Sequence, residues 1–137
     1  MASIKEIEER RAKRKEAHEA ERAAQYALDL EALDALEVEH GDGRVSSLTP
    51  ESFVPGLPTF AVVRVPSALE MKRFRDKVRR DPKSTGEGLD ELAAVCIVYP
   101  DRETYERMRV AFPGMHDSIA NRAVKLAEAK TEAEKKA

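Results

Sequence analysis

The sequence predicts an α+β fold that is mostly helical, with a long N-terminal helix, a small antiparallel sheet of two or three strands, and a cluster of about four helices. Three observations support this prediction. The first third of the chain consists almost entirely of charged and helix-forming residues. Residues 59–65 form a short β-branched segment that ends at Pro66. Residues 93–99 form the longest apolar run and stop at Pro100; an element apolar on every side must be buried on every side.

The same observations divide the chain into three parts. Residues 1–35 are predicted to form a charged N-terminal helix. Residues 36–127 are predicted to form an α+β domain, which is large enough for one hydrophobic core. Residues 128–137 contain no apolar residue larger than alanine, so we expect a flexible C-terminal tail.

The composition limits the classes of function. Charged residues make up 36% of the chain, but the net charge is only −2, so a general attraction to nucleic acids or anionic membranes is not expected. The single cysteine excludes an intrachain disulfide. No leading apolar segment or membrane-length apolar stretch is present, and we therefore expect a soluble, cytoplasmic protein.

The N-terminal helix is predicted to change character along its length. Ser3 and Glu6 have the spacing of a capping box, and residues 3–22 have few apolar side chains. This pattern favours a solvent-exposed arm. A coiled-coil strand is the alternative, although Arg11 and Arg14 fall where seam residues should be apolar. From Ala20, apolar residues recur every three or four positions, which predicts docking on the domain.

The sheet is predicted from short segments separated by glycine and proline. Residues 36–40 and 44–48 flank Gly41-Asp42-Gly43 and are expected to form a hairpin. Residues 59–65 are predicted to be a further strand. We expect all the strands to lie between residues 36 and 65.

Four helices are expected to follow the sheet. Ser67 and Glu70 form a second capping box, which predicts a helix to Arg80. Residues 81–88 are expected to be a polar loop. A helix from 89 to 99 is favoured, and a strand over 93–99 is its alternative, because residues 95–99 favour β structure. Asp101 should cap a helix to Phe112, and a last helix should follow Pro113-Gly114.

The titratable residues do not assemble a catalytic or metal-binding set in the sequence. His18, His40 and His116 lie on separate predicted elements without metal-ligand spacing, so we expect them to be exposed. Cys96 lies within the apolar run, where burial raises a thiol's pKa. We therefore predict that the protein is not an enzyme and that it binds no cofactor.

The most concentrated positive charge lies on the predicted helix at residues 72–80, which holds six basic residues and one acidic residue. Arg73, Arg75 and Arg79 could contact phosphates in a small nucleic-acid-binding protein. The net charge of −2 favours a solvated helix face instead.

Short segments of the second half of the chain resemble phage tail assembly chaperones. The matching segments are residues 60–66 (FAVVRVP) with 69–75 (LEMKRFR), residues 96–102 (CIVYPDR) with 103–108, and residues 112–114 (FPG) with the closing helix. The resemblance covers about residues 57–127. The charged helix before Leu36 has no counterpart in it.

The resemblance implies a non-enzymatic protein that binds the tape measure protein and keeps it soluble during tail assembly. It implies a location in the host bacterial cytoplasm and absence from the mature virion. A chaperone of helical segments needs an apolar groove, for which we select Tyr99, Tyr105, Met108 and Phe112. The alternative is that these residues fill the core. A second copy of the chain could cover the same surface.

The family resemblance also implies a longer form of the chain, made by ribosomal frameshifting near its end. Lys135-Lys136 can be encoded by an adenine-rich slippery sequence. The alternative is an ordinary charged C-terminus.

Overall fold

The computed structural model describes residues 1–128, and most of the predicted tail at 128–137 lies outside the described residues. Helix α1 begins the chain and packs on one face of a three-stranded sheet, while the later helices cover the other face. The elements in chain order are α1 Ile4–His40, β1 Val45–Leu48, β2 Ala61–Arg64, α2 Ala68–Arg80, a short 3₁₀ turn Pro82–Ser84, α3 Thr85–Cys96, β3 Ile97–Tyr99, α4 Arg102–Ala111 and α5 Met115–Ala127.

The predicted fold class is confirmed: the chain is mostly helical, with a long first helix and a small antiparallel sheet. The strand order is β1-β2-β3, and both pairings are antiparallel. Val45 pairs with Arg64 in the first ladder, and Val62 pairs with Tyr99 in the second. Within residues 1–128, every helix is too short or too polar to span a membrane.

Strand β2 contributes to two separate apolar clusters, because successive side chains of a strand point to opposite faces. Ala61 and Val63 belong to the main core, which lies between the sheet and helices α3, α4 and α5. Val62 belongs to a smaller second cluster on the α1 side. The buried members of the main core are Leu57, Ala61, Val63, Leu92, Ala93, Cys96, Tyr105, Met108, Met115, Ile119, Ala120 and Ala123. The second cluster consists of Val45, Phe60 and Val62, with Leu33, Leu36, Val98 and Tyr99 packed against them.

The predicted hairpin at residues 36–48 is wrong. Residues 36–40 are the last turn of α1, which ends at Gly41 with a φ of +98°. Leu33 and Leu36 pack against the second cluster with helical spacing, so the tertiary contact favours helix where the local pattern also fitted a strand. Strand β1 pairs with β2 instead, and the predicted domain boundary after residue 35 falls inside α1.

The central apolar run is divided between the two predicted alternatives. Helix α3 continues to Cys96, and Ile97–Tyr99 form the edge strand β3. The Arg64 guanidinium donates to the Val95 carbonyl oxygen at 2.7 Å, which satisfies an unpaired carbonyl of the last helical turn. The chain then pairs with the open edge of β2. The predicted loop at 81–88 is also wrong, since α3 already begins at Thr85.

Three of the predicted helix N-termini, at Ser3, Ser67 and Asp101, are confirmed, although only the Ser3 bond of the capping box predicted for Ser3 and Glu6 is present. Ser3 accepts from the Glu6 backbone N–H at 3.2 Å, and Asp101 accepts from that of Thr104 at 3.2 Å. Ser67 and Glu70 make both bonds of a capping box, at 3.1 and 2.7 Å. These local signals were readable because a cap depends only on residues three positions apart.

Candidate functional site

Two of the four residues predicted to bind a partner are buried in the main core. Tyr105 is 2% exposed and Met108 is fully buried, so their assignment to an exposed groove is wrong. Their spacing on α4 points them at α5, with which α4 is in contact. Phe112 is half-buried and packs against the same core. The four residues do not form one surface.

Tyr99 has a structural contact on the opposite side of the sheet. Its hydroxyl donates to the carboxylate of Asp29, a fully buried residue of α1. The same carboxylate accepts from the Thr59 backbone N–H at 2.7 Å, the Thr59 hydroxyl at 2.6 Å and the Gln25 amide at 2.9 Å. Burial, followed by the hydrogen bond to Asp29, raises the pKa of Tyr99. This Asp29 network attaches α1 to the sheet.

The prediction that all three histidines are exposed is wrong for the half-buried His40 and for His116, which is buried. Its Nε2–H donates to the Asp90 carbonyl oxygen at 3.1 Å, which leaves Nδ1 to accept from the Tyr105 hydroxyl at 2.7 Å. Burial raises the pKa of Tyr105 to about 12. The hydrogen bonds join α3, α4 and α5 and occupy both ring nitrogens, which favours a positioning role.

A shallow groove of about 300 Å³ between α2 and α3 is the candidate functional site. We call it the α2–α3 groove. Its apolar lining is formed by the half-buried Phe74 ring, the buried Leu92 side chain and Val95, whose side chain is 47% exposed. The lining residues are apolar Phe74, Gly88, Leu92 and Val95, and charged Glu70, Arg73 and Glu91.

Gly88 allows the two helices of the groove to approach closely. A Cβ at this position would lie 3.2 Å from Cδ1 of Phe74, so the ring packs directly on the backbone of α3. Leu92 lies one turn further along α3 and is buried. This site was not among the sequence predictions, because residues 81–88 were expected to be a loop. The spacing of Gly88, Leu92 and Val95 was the signal that could have revealed it.

Charge pairs fix the helices that form the groove. The Arg64 guanidinium donates to both Glu70 carboxylate oxygens at 2.8 Å. This interaction, opposed by partial burial and assisted by the Ser67 backbone, lowers the pKa of Glu70 to about 2. Lys77 lies 2.6 Å from Glu91 and 3.4 Å from Glu87, and its hydrogen bond to Glu91 raises its pKa. These pairs link β2, α2 and α3.

The three arginines of the predicted basic site do not share one face of α2. All three are exposed. Arg75 and Arg79 are four residues apart and therefore lie on the same face, whereas Arg73 lines the α2–α3 groove on another.

Cys96 is buried, and desolvation raises the pKa of its thiol to about 11, as expected from its position in the apolar run. Across residues 1–128, no three His, Cys, Asp or Glu side chains are grouped so that they could hold a metal ion.

The comparisons with known proteins inform the fold alone. No protein-family model and no curated protein matches the chain. A solved structure of an uncharacterised protein from Bacillus stearothermophilus is similar, with a TM-score of 0.51 and 24% sequence identity. The match covers 73% of this chain and 97% of that chain. Most of this arrangement of helices and strands therefore also occurs in that protein from Bacillus stearothermophilus.

Proposed function

We propose that the protein is a non-enzymatic chaperone that binds an amphipathic helical segment of its client in the α2–α3 groove. The client is the tape measure protein of a tailed phage, which the resemblance of residues 57–127 to tail assembly chaperones implies. The protein acts in the host bacterial cytoplasm and is absent from the mature virion.

The observation that carries this proposal is the composition of the groove. Its lining of Phe74, Leu92 and Val95 offers an apolar surface, and amphipathic helices are recognised by such surfaces. A volume of about 300 Å³ is at the lower end of ligand pockets, and suits one or two side chains of a helix rather than a cofactor. Arg73 and Glu91 place both charge signs at the rim, where they can meet the polar flanks of a helix.

The test is co-expression with the tape measure protein and measurement of the soluble client. Val95→Glu places a charge in the groove without disturbing a buried side chain, so we expect at least a fivefold loss of soluble client. Val110→Glu is the matched control, because Val110 is 84% exposed on α4 and does not line the groove. Equal solubilisation by both variants would refute the groove, and no effect of the wild-type protein would refute the chaperone function.

A second candidate is nucleic-acid binding by the basic helix, supported by the exposed Arg75 and Arg79 on one face of α2. Changing Arg73, Arg75 and Arg79 to Glu would then abolish binding to duplex DNA and leave tape measure solubilisation largely intact. Micromolar affinity of the wild-type protein for DNA in physiological salt, with a steep salt dependence, would favour this candidate over the chaperone.

The coding sequence offers an independent test of the phage assignment. A slippery run over Lys135-Lys136, an overlapping frame and a long helical reading frame downstream are expected for a tail assembly chaperone with a frameshifted longer form. Neighbouring genes with only metabolic or regulatory products would contradict the assignment.

A further inference from the structure

Helix α1 has an apolar face that points away from the sheet. Leu28 is 61% exposed and Val38 is 81% exposed, although both lie in the half of α1 that packs on the domain. Steps of three, four or seven residues connect them with exposed alanines, so the apolar side chains lie along one side of the helix, where Glu31 interrupts them between Leu28 and Ala35. We call this line the outer stripe; it comprises Ala17, Ala20, Ala24, Leu28, Ala35 and Val38.

The stripe lies opposite the face that docks on the sheet. Asp29 is fully buried, and Leu33 and Leu36 pack against the second cluster. One residue advances about 100° around a helix, so Leu28 points well away from Asp29. A second helix could therefore lie along the stripe without contacting the sheet.

The charge of α1 is strongly divided along its length. Residues 4–15 carry six Lys or Arg and three Glu, a net charge of +3. Residues 16–40 carry eight Asp or Glu and one Arg, a net charge of −7 with His neutral. A helix with this distribution is complementary to a second copy of itself that runs in the opposite direction, and a parallel copy would place like charges together.

The length of α1 gives a further reason for a partner. Its 37 residues correspond to about 55 Å, and every side chain from Ile4 to Lys15 is exposed. An isolated helical segment as short as residues 4–15 is only marginally stable in water without tertiary contacts. Pairing with the acidic half of another copy would cover the basic arm and stabilise it as helix.

We propose that two copies of this chain associate through the outer stripes of their α1 helices, packed antiparallel. With the helices overlapping along their full length, Ala20 of one copy lies opposite Ala24 of the other. Lys13 and Glu31 also lie on the line of the stripe. Lys13 of each copy faces Glu31 of the other, so this ion pair occurs twice in the dimer. The small alanines allow the helix axes to approach closely, and the two domains lie on the outer sides of the pair.

This inference goes beyond the proposed function and uses a different surface. The α2–α3 groove stays open in the antiparallel dimer, because α2 and α3 cover the face of the sheet that α1 does not touch. Client binding and dimerisation can therefore be tested separately.

The first experiment is sedimentation equilibrium of the full chain over a range of micromolar concentrations. The wild-type protein is expected to be a dimer whose dissociation constant increases with salt, because the charge contribution is screened. Ala24→Glu with Leu28→Glu should raise the dissociation constant at least a hundredfold and leave the helix content by circular dichroism unchanged. Val110→Glu should leave the dimer intact. A wild-type monomer at all concentrations, or a dimer unaffected by the double variant, would overturn the proposal.

The second experiment tests the direction of the helices by charge reversal. Lys13→Glu changes both equivalent ion pairs from attraction to repulsion and should weaken the dimer by roughly tenfold. Glu31→Lys should do the same, and the two changes together should restore the wild-type dissociation constant. Rescue requires that residue 13 face residue 31, so additive weakening in the double variant would exclude the antiparallel register.

A cross-linking experiment provides a readout that does not depend on affinity. Ala17→Cys mixed with Ala27→Cys should form a disulfide-linked pair, because these positions face each other at full overlap, and neither variant alone should do so. A disulfide formed by Ala17→Cys alone would show a parallel pair and overturn the proposal. Cys96 is buried and does not compete.

Discussion

One face of the sheet is covered by several helices packed through aliphatic side chains, whereas the other is covered by a single charged helix held largely by hydrogen bonds. The main core is large and contains mostly apolar atoms. The second cluster has three buried apolar residues, Val45, Phe60 and Val62, and depends on the buried Asp29 beside them.

The difference follows from the composition of the helices. Helices α3 and α5 carry apolar residues over a wide face, so burying them supplies stability in proportion to area. Helix α1 offers Leu33 and Leu36 to the sheet, and its other docking contacts include the polar Gln25 and Asp29. Hydrogen bonds have strict geometry, so the Asp29 network fixes the position and register of α1 where apolar area is small.

The largest expected effect lies in the main core. Met108→Ala removes a fully buried side chain and should lower the free energy of unfolding by about 2–5 kcal/mol, because a cavity remains. Urea denaturation measures this loss. Val110→Ala, on the exposed side of the same helix, should change stability by less than about 0.5 kcal/mol. A Met108→Ala variant that is stable but fails to bind the client would instead show that Met108 contributes to partner binding.

The second face should respond to loss of its buried carboxylate. Asp29→Ala leaves the Thr59 N–H, the Thr59 hydroxyl and the Tyr99 hydroxyl without their acceptor, and should cost about 2–3 kcal/mol. Hydrogen exchange at the Thr59 amide should accelerate in the same variant, since α1 then detaches more readily. Asp34→Ala, an exposed acidic position on the same helix, is the control. Unchanged exchange at Thr59 would show that apolar contacts alone hold α1.

The ion pair between β2 and α2 makes a smaller, pH-dependent contribution. The pKa of Glu70 falls from its ordinary value of 4.5 to about 2 in the folded protein, so the folded state binds fewer protons between these values. Its stabilising contribution is therefore complete above about pH 4.5 and decreases as the pH falls toward about 2. Glu70→Gln should remove this part of the acid dependence and cost about 1–2 kcal/mol at neutral pH. An identical acid profile for the variant would contradict this contribution.

The smallest effects compare two helix N-termini. Ser67→Ala removes one bond of the capping box of α2 and should cost about 1 kcal/mol. Ser3→Ala removes the cap of α1, but at the end of an exposed arm, so the global stability should change by less than about 0.3 kcal/mol. Denaturation curves of the two variants measure the contrast. Equal losses would show that the arm unfolds together with the domain, as expected only if a partner helix covers it.

The residues of the candidate site show how far sequence reasoning extended. The cap of α2, the position of Phe74 on its inner side and the exposed arginines followed from local patterns. The groove itself did not follow from local patterns, because the close approach at Gly88 exists only when Phe74 of another helix packs against it. Tyr105 and Met108 were correctly placed on a helix, but their direction depends on the position of α5.

The sequence by itself determined the fold class, the caps at Ser3, Ser67 and Asp101, and the strand at residues 61–64, since these depend on neighbours along the chain. The tertiary structure decided the conformation of the segments for which the local sequence allowed both helix and strand. Residues 36–40 are helical because α1 packs on the sheet, and residues 97–99 are a strand because β2 has an edge to pair. Both segments have two acceptable local conformations, and the contact that selects one of them comes from residues distant in sequence.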